Sequence, residues 1–544
     1  MTGPLTGPLT GPLKSTARRR GSLLAPGVAV AATALLLAGC TGPAPGAAPP
    51  TPAPATAGAP APPVPQAGTP GWEITRSGPG RTEGFADRVS VLPGEPVTLY
   101  VSSTAPRFTV TAYRMGYYLA SRALRVWSSE PVPAAAQPPA QVVGPTATVV
   151  APWQPSLRVA TSGWAPGMYL LRLDGADGSA SYVPLTVRTP SNAGRVVLLN
   201  AVTTWQAYNT WGGRSLYAGP GGYADRSRAV SFDRPYAAGT GAADFLGLEL
   251  PLLVLAERSG VPLGYATDTD LDARPDLLAG ARGLVTLGHD EYWSAAMRAN
   301  ATAARDAGTN LAFLGANSVY RHIRLGPTAL GPGRWETDYK SFAEDPLSRT
   351  DPQEATADWR SPPYPRPESV LVGVFYQCNP VSADLVVADP QNWLLAGFVH
   401  PGQRLPGVVG TEYDKVDLAV PTPRPIEVLF RSPVTCRGKR DVAEGAYYTT
   451  PSGAGVFATG TINWICALDG MCAGRPIPAE AGRVVGAITT RLLQAFAQGP
   501  VGRAHPAVDN LTALGDPTPR PHPGARSPRP GGGAPGTATA SPGQ

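Results

Sequence analysis

The pattern of apolar residues changes near residue 190. Before it, apolar and polar residues alternate in short runs that are separated by turn residues such as Pro93 and Gly94. Alternation with a period of two is typical of strands that bury one face. The runs lie at residues 88–91, 97–101, 108–113, 156–160, 168–173 and 182–187. Short strands at this spacing predict an immunoglobulin-like β-sandwich over residues 71–189.

After residue 190 the apolar runs become continuous and alternate with helical segments. Residues 195–199 read as a strand that is buried on both faces of a parallel sheet. Further strands are predicted at 263–267, 284–287, 310–314, 370–375, 408–409, 426–430 and 455–458, and helices at 245–259, 294–307 and 483–496. Strands that alternate with helices predict a doubly wound α/β domain over 190–500, with β insertions after residue 334.

The two ends of the chain read differently from the domains. Residues 1–40 combine basic residues with an apolar run and end in Leu-Ala-Gly-Cys, which resembles a lipoprotein signal peptide with Cys40 as the lipidated residue. The alternative is an ordinary cleavage site beside a chance cysteine. Residues 41–70 read as a Pro/Ala-rich linker and 501–544 as a disordered Pro/Gly-rich tail. We therefore expect an exported protein that a lipid anchor holds outside the cytoplasm at the cell membrane.

The charge distribution argues against a nucleic-acid partner. The net charge is +6, but the predicted signal peptide carries four positive charges and the predicted tail a surplus of two. The part predicted to fold is therefore neutral and lacks the basic surplus that nucleic-acid binding requires.

Four cysteines remain when Cys40 is set aside: Cys378, Cys436, Cys466 and Cys472. An even number in an exported protein predicts up to two disulfides, for which three pairings exist. The short separation favours Cys466–Cys472, which leaves Cys378–Cys436. A four-thiolate zinc site is the alternative, but the spacing C-x-x-C is missing.

The segment Gly-His-Asp-Glu-Tyr-Trp at residues 288–293 is the strongest candidate for chemistry. It lies between a predicted strand and a predicted helix, where ligands bind in open α/β sheets. His289 and Glu291 are two residues apart, so on an extended segment their side chains point the same way. The structural alternative is that Asp290 caps the helix and Glu291 lies in its first turn.

Three other segments follow predicted strands and should lie near the same rim. They are the aromatic stretch 200–217, residues 315–318 and residues 410–414. Each also has a purely structural interpretation, as a surface aromatic cluster, a cap or a turn. The sequences G-x-S-x-G, H-E-x-x-H and the P-loop are missing, which disfavours the common hydrolase and phosphate-binding mechanisms.

Taken in order, these motifs resemble the large (beta) subunit of N,N-dimethylformamidase over roughly residues 80–480. The motifs are Ala-Tyr-Asn at 207–209 with Gly-Gly at 212–213 and Ser-Leu-Tyr at 215–217, the segment 288–293, Gly-Ala-Asn at 315–317, and Gly-x-Glu at 410–412. The resemblance implies an immunoglobulin-like or lectin-like domain followed by a class I glutamine amidotransferase-like domain that lacks the cysteine nucleophile.

The resemblance also implies a mononuclear iron site, Fe(III), held by two tyrosines and a glutamate. Glu291 and Tyr208 match two of the ligands. Tyr169, in Pro-Gly-Met-Tyr, is our candidate for the second tyrosine, and Tyr217 is its rival. Such an ion prefers phenolate and carboxylate oxygens.

The remaining matches assign catalytic roles. His289 would stabilise the oxyanion or protonate the leaving amine, Glu412 would act as general base, and Asn317 matches the asparagine of the site. The expected activity is hydrolysis of a C–N bond in a small non-peptide amide. The family pattern includes a small subunit, which this sequence does not identify, and a homo-oligomer is the alternative assembly.

Two other functions compete with this hypothesis. One is an envelope lipoprotein without enzymatic activity that binds glycan or peptide through its β domain. The other is a metal-free glycan hydrolase that uses Glu291 and Glu412 as acid and base.

Overall fold

The computed structural model describes residues 65–78 and 80–515. Cys40, the predicted signal peptide and most of the predicted linker and tail lie outside these residues, so export and lipid anchoring stay predictions. In the described part of the chain, no helix is both long and apolar enough to cross a membrane.

The part before residue 190 consists of strands, as the alternation predicts. Its strands are β1 (Thr82–Ala86), β2 (Ser90–Val91), β3 (Val97–Ser103), β4 (Arg107–Tyr118), β5 (Ser121–Ser128), β6 (Val132–Pro133), β7 (Gln141–Val143), β8 (Thr148–Val150), β9 (Leu157–Val159), β10 (Gly167–Gly175) and β11 (Ala180–Val187). One sheet has the order β1-β3-β9 and another the order β2-β11-β10-β4-β5. The immunoglobulin-like assignment stays a prediction.

Strand β10 shows why the second of these sheets is apolar on both faces. Tyr169, Leu171 and Leu173 pack into the core between the strands of this part. Met168 and Leu170, which point the opposite way, join a core that extends into the α/β part. The sheet therefore lies between its own core and the rest of the protein.

The part after residue 190 mixes helices and strands. In chain order its elements are β12 (Val196–Asn200), α1 (Val202–Tyr208), β13 (Ala229–Ser231), α2 (Leu250–Arg258), β14 (Leu263–Thr267), α3 (Asp268–Ala273), β15 (Gly283–Thr286), β16 (Tyr292–Ser294), α4 (Ala295–Asp306), β17 (Asn310–Phe313), β18 (Arg321–Thr328), β19 (Gly331–Thr337), α5 (Ser369–Val372), β20 (Phe375–Val386), β21 (Arg404–Lys415), β22 (Ile426–Cys436), β23 (Lys439–Thr449), β24 (Gly455–Ala458), α6 (Asn463–Cys466), β25 (Met471–Cys472), β26 (Arg475–Pro476) and α7 (Ala479–Gln498). A π-helical turn, Phe245–Glu249, precedes α2. Short 3-10 helices lie at Trp211–Gly213, Tyr223–Asp225, Gly239–Gly241, Pro346–Arg349, Ala467–Asp469 and Val501–Arg503.

A seven-stranded sheet with the order β14-β12-β15-β17-β24-β23-β22 organises this part. The strands from β14 to β24 pair in parallel, and β23 and β22 continue the sheet antiparallel. The carboxyl ends of β12, β15 and β17 therefore lie on one rim. The segments that follow these three strands carry most of the candidate site residues.

Two predictions of local structure are wrong. Residues 370–375 were predicted as a strand, but the apolar run starts in the short helix α5, and β20 begins at Phe375. The predicted tail begins too early, because Ala507 and Leu511 are buried and Asn510 exchanges hydrogen bonds with the backbone of Val428. Burial of a few apolar side chains is enough to hold residues 501–515 against the sheet.

Both predicted disulfides are confirmed. Cys378 is bonded to Cys436, and Cys466 to Cys472. This pairing rules out a zinc site built from the four thiolates.

Candidate functional site

The core of the candidate site is a buried carboxylate surrounded by tyrosine hydroxyls. Glu291 is 1% exposed, and its Oε2 accepts a hydrogen bond of 2.7 Å from the Tyr208 hydroxyl. The hydroxyl of Tyr217 lies 3.2 Å from Glu291 Oε1 and 2.8 Å from the hydroxyl of Tyr208. Tyr292 donates to Tyr217 over 2.7 Å. Hydrogen bonds therefore join four oxygen-bearing side chains in one cluster, in which Tyr292 contacts Tyr217.

Helix α1 holds this cluster together from the rim of the sheet. Tyr208 is its last residue, and Thr203 and Thr204 lie on the side that faces the segment around Glu291. Thr204 Oγ1 accepts from the backbone N–H of Glu291 at 3.0 Å, and Thr203 Oγ1 donates to the carbonyl of Tyr292 at 2.8 Å. These bonds fix the helix to the backbone that carries the carboxylate.

Two glycines allow the neighbouring loops to approach closely. Gly288 has a positive φ of 57°, a conformation that favours glycine. A Cβ atom at Gly315 would lie 1.7 Å from the carbonyl oxygen of Gly288. Only a residue without a side chain fits there, so the loop that carries His289 and the loop that carries Asn317 can touch.

Cations surround the carboxylate. Arg321 Nε lies 3.4 Å from Glu291 Oε1, and His289 Nε2 lies 3.4 Å from Glu291 Oε2. The Lys340 ammonium contacts the hydroxyl of Tyr292 and lies 3.7 Å from the ring centre of Tyr217. Burial alone would raise the pKa of Glu291, but the contact with His289 and the nearby cations outweigh it and lower the pKa to about 2. Glu291 is therefore ionised at any physiological pH.

A second group of side chains lies on the other side of His289. Glu412, on β21, has its Oε2 at 4.0 Å from His289 Nε2. Glu412 Oε2, His289 Nε2 and Asn317 Oδ1 are all buried and have no hydrogen-bond partner among the described residues. Buried polar atoms without partners are uncommon, and two of these atoms, His289 Nε2 and Glu412 Oε2, lie 4.0 Å apart.

The charges of this second group differ from those of free side chains. Burial raises the pKa of Glu412, and the positive charge of His289 only partly offsets it. Burial opposes the charged form of His289, but its contacts with Glu291 and Glu412 outweigh burial and raise its pKa to about 9. The carboxyl of Glu412, whose pKa is raised, therefore lies beside the protonated imidazole of His289.

The structure brings five of the predicted residues together and leaves out one. Tyr208, His289, Glu291, Asn317 and Glu412 lie around one point, as the rim argument predicts.

Tyr169 does not belong to this site, and its assignment as a metal ligand is wrong. Its side chain is on the face of β10 that packs into the β-sheet core, where its ring stacks on Trp164. Its hydroxyl donates to the carbonyl of Ala165 at 2.7 Å. Tyr217, the rival candidate, lies beside Glu291 instead, so the tyrosines that contact Glu291 all come from the α/β part.

The structural alternative for this segment, in which Asp290 caps the helix, is wrong. Ser294 caps helix α4 by accepting from the backbone N–H of Met297, because residues 292–294 form the short strand β16 before the helix begins. Asp290 is fully buried and accepts a hydrogen bond of 2.7 Å from the indole of Trp293. Burial raises its pKa to about 7.

The sequence alone did not identify Tyr292, Arg321, Lys340 or Asn379 as parts of the site. Tyr292 follows Glu291 directly, and its side chain would have been assigned to the opposite face of an extended segment. Lys340 is one of only four lysines in the chain. Its rarity is a signal that could have marked it, but its distance in sequence from the other motifs hides the contact.

A single buried arginine holds the segment that carries the tyrosines. The Arg234 guanidinium is 1% exposed and donates to the carbonyls of Asn209, Trp211 and Arg214 at 3.0–3.1 Å. It also donates to the side-chain oxygen of Gln206 at 2.9 Å. All four acceptors lie in the segment around Tyr208.

We expect Arg234→Met to destabilise the protein by about 3 kcal/mol or more, because several buried carbonyls lose their donor. Urea unfolding followed by tryptophan fluorescence measures the effect. Arg158→Met, at an exposed position on β9, is the matched control and should leave the midpoint unchanged. An equal midpoint for Arg234→Met and wild type would contradict the proposed role.

The oxygens of Tyr208, Tyr217 and Glu291 fit a small hard cation. Oxygens bound at right angles to one ion at about 2.0–2.1 Å lie about 2.9 Å apart, and those of the three side chains are separated by 2.7–3.2 Å. Burial, followed by the charge of Glu291, raises the pKa of both tyrosines well above the ordinary value, so both hydroxyls stay protonated unless a cation replaces the protons. Within the described residues no group of three or more His, Cys, Asp and Glu side chains is placed to hold a metal ion. The candidate centre instead combines one carboxylate with phenol oxygens.

Comparisons with known proteins place the chain in a family. A search of curated proteins found no significant match. One solved structure, a Paenibacillus sp. cycloisomaltooligosaccharide glucanotransferase complexed with cycloisomaltoheptaose, is 15% identical over 23% of this chain and 16% of that one, and its TM-score of 0.14 carries no argument. The family described as "N,N-dimethylformamidase beta subunit-like, C-terminal" matches residues 109–476, well over half of the chain. The chain therefore belongs to the N,N-dimethylformamidase beta subunit-like family.

Proposed function

We propose that the protein is an iron-dependent hydrolase that cleaves the C–N bond of a small, non-peptide amide. One observation carries the proposal. Three side chains, Tyr208, Tyr217 and Glu291, present oxygens at the spacing of ligands around one ion, next to the partnerless Oε2 of Glu412. Membership of the N,N-dimethylformamidase beta subunit-like family supports the reaction class.

In this proposal Tyr208, Tyr217 and Glu291 hold iron(III). Phenolate and carboxylate oxygens are hard ligands that suit a hard trivalent ion. When bound, the ion supplies a Lewis acid that polarises the amide carbonyl and lowers the pKa of water. Arg321 and Lys340 keep Glu291 ionised and in place before the ion arrives.

Glu412 and His289 carry the proton transfers. Glu412 Oε2 accepts a proton from water while the water oxygen bonds to the carbonyl carbon, and the raised pKa of Glu412 makes it a better base than an ordinary glutamate. His289, with a pKa of about 9, is protonated at neutral pH and donates to the amine nitrogen as the C–N bond breaks. The products are a carboxylic acid and an amine. Asn317 lies against Glu412 and helps to orient it.

The two alternative functions receive less support. Glycan hydrolysis by Glu291 and Glu412 requires two carboxyls that face each other across an open cleft. Glu291 is instead buried, and tyrosine hydroxyls lie against both of its oxygens. A binding protein without activity gives no reason for partnerless catalytic groups beside these tyrosines.

The ligand set has a spectroscopic test. Natively purified protein should show the visible charge-transfer band of ferric tyrosinate and should release amine from N,N-dimethylformamide or a related small amide. Tyr208→Phe removes one ligand oxygen, so the band should weaken and shift and the rate should fall. Tyr223→Phe, which alters an exposed tyrosine, is the control. A band that Tyr208→Phe leaves unchanged would refute this ligand set, and no amine release from a panel of small amides would refute the reaction.

A further inference from the structure

Asn379 connects the proposed base to a residue on another strand. Its Nδ2 donates to Glu412 Oε1 at 2.9 Å. Arg437 donates two hydrogen bonds to the same asparagine, from Nη2 to its Oδ1 at 3.0 Å and from Nε to its backbone carbonyl at 2.8 Å. An arginine has only donors, so it binds the oxygen end of the amide and turns the nitrogen end toward Glu412.

Regular strand pairing does not hold Asn379 in this position. β20 pairs with β21, but the register between them shifts from Tyr376 to Cys378 and again from Cys378 to Val381. Asn379 lies inside this irregular stretch, opposite the part of β21 that carries Glu412. Its orientation therefore depends on side-chain contacts rather than on the backbone ladder.

A disulfide lies directly beside these contacts. Cys378 precedes Asn379, Cys436 precedes Arg437, and the two cysteines are bonded. β20 belongs to a two-stranded sheet with β21, whereas β22, which ends at Cys436, belongs to the seven-stranded sheet. The disulfide joins these two sheets at the point where Arg437 meets Asn379.

Arg437 is exposed and has a positive φ of 48°. An exposed arginine keeps a fixed geometry only when its backbone is held, since its side chain otherwise gains rotamer freedom in water. The neighbouring disulfide supplies this restraint.

We propose that the Cys378–Cys436 disulfide positions Glu412 through Arg437 and Asn379, so that the site is fully active only in the disulfide-bonded protein. The proposal rests on the proposed role of Glu412 as general base. Asn379 and Arg437 are positioning residues in it. Disulfides persist in oxidising compartments, so the protein would keep its full rate there.

The first experiment compares the two disulfides. The variant Cys378→Ser/Cys436→Ser loses the proposed support, and Cys466→Ser/Cys472→Ser loses the other disulfide as the matched control. We expect kcat for N,N-dimethylformamide to fall about tenfold or more in the first variant, with the iron content and the visible band of wild type. The control should keep at least half of the wild-type kcat.

The pH profile separates positioning from a general loss of structure. The hydrogen bond from Asn379 lowers the pKa of Glu412, so its loss should move the acid limb of kcat to higher pH. Arg437→Lys, which cannot bind both oxygens of Asn379, should show the same shift. Arg475→Ala is the control, because it removes an exposed arginine that contacts strand β20. This variant should leave the acid limb at the wild-type pH. A wild-type kcat and acid limb in the Cys378→Ser/Cys436→Ser variant would overturn the proposal.

Hydrogen–deuterium exchange tests the structural link without turnover. Peptides that cover residues 376–382 and 410–414 should exchange faster in Cys378→Ser/Cys436→Ser than in wild type, and at the wild-type rate in the control. Unchanged exchange would overturn the positioning role. If wild type releases no amine from any amide, the proposed function fails, and the exchange measurement still decides whether the disulfide holds Asn379 against Glu412.

Discussion

Glu291→Gln should lose iron and turnover together. The neutral amide cannot balance the charge of a trivalent ion, and the affinity should fall more than the roughly 10–100-fold typical of residues that only support a ligand. The variant also leaves Arg321, Lys340 and His289 around a site without its carboxylate. Metal analysis of the purified variant, together with amine release from N,N-dimethylformamide, measures both effects.

Glu291→Gln should also lower the free energy of unfolding. Removing one partner of a buried ion pair typically costs about 3–5 kcal/mol, because the remaining charge stays buried without a counterion. Glu480→Gln, at an exposed position in the first turn of α7, is the matched control and should keep both iron and activity. Full iron occupancy in Glu291→Gln would contradict the ligand assignment.

Glu412→Gln should keep iron but lose about 10²–10⁴-fold in kcat, the usual contribution of a general base. The amide retains the size and the contact with Asn379 but cannot accept a proton. Because burial raises the pKa of Glu412, the wild-type rate should fall as the pH drops through a value above that of an ordinary glutamate. The residual rate of Glu412→Gln should lack this acid limb.

The pH dependence and the iron content together distinguish this role from a structural one. Loss of iron in Glu412→Gln would place the residue among the ligands instead. An unchanged acid limb in the variant would show that another group titrates.

The convergence of His289, Glu291 and Asn317 follows from the order of apolar runs in the sequence. Runs of this kind predict parallel strands, and the carboxyl ends of parallel strands lie on one rim. The segments after β12, β15 and β17 do meet there. Site residues that directly follow parallel strands can therefore be predicted from the sequence.

The remaining contacts depend on tertiary packing that no local pattern encodes. Lys340 follows β19, which belongs to a separate four-stranded sheet, and reaches the tyrosines only because that sheet packs beside the rim. Asn379 lies at an irregularity in strand pairing, which apolar periodicity does not reveal. The assignment of Tyr169 as a metal ligand is wrong because a short motif match does not show which face of β10 the side chain occupies.

The most direct test of the proposed function is metal analysis of natively purified wild-type protein, combined with its amide hydrolase activity before and after chelation. We expect about one iron per chain, and loss of the visible band and of amine release when the iron is removed. Protein that contains no metal and keeps full activity in chelator would contradict it.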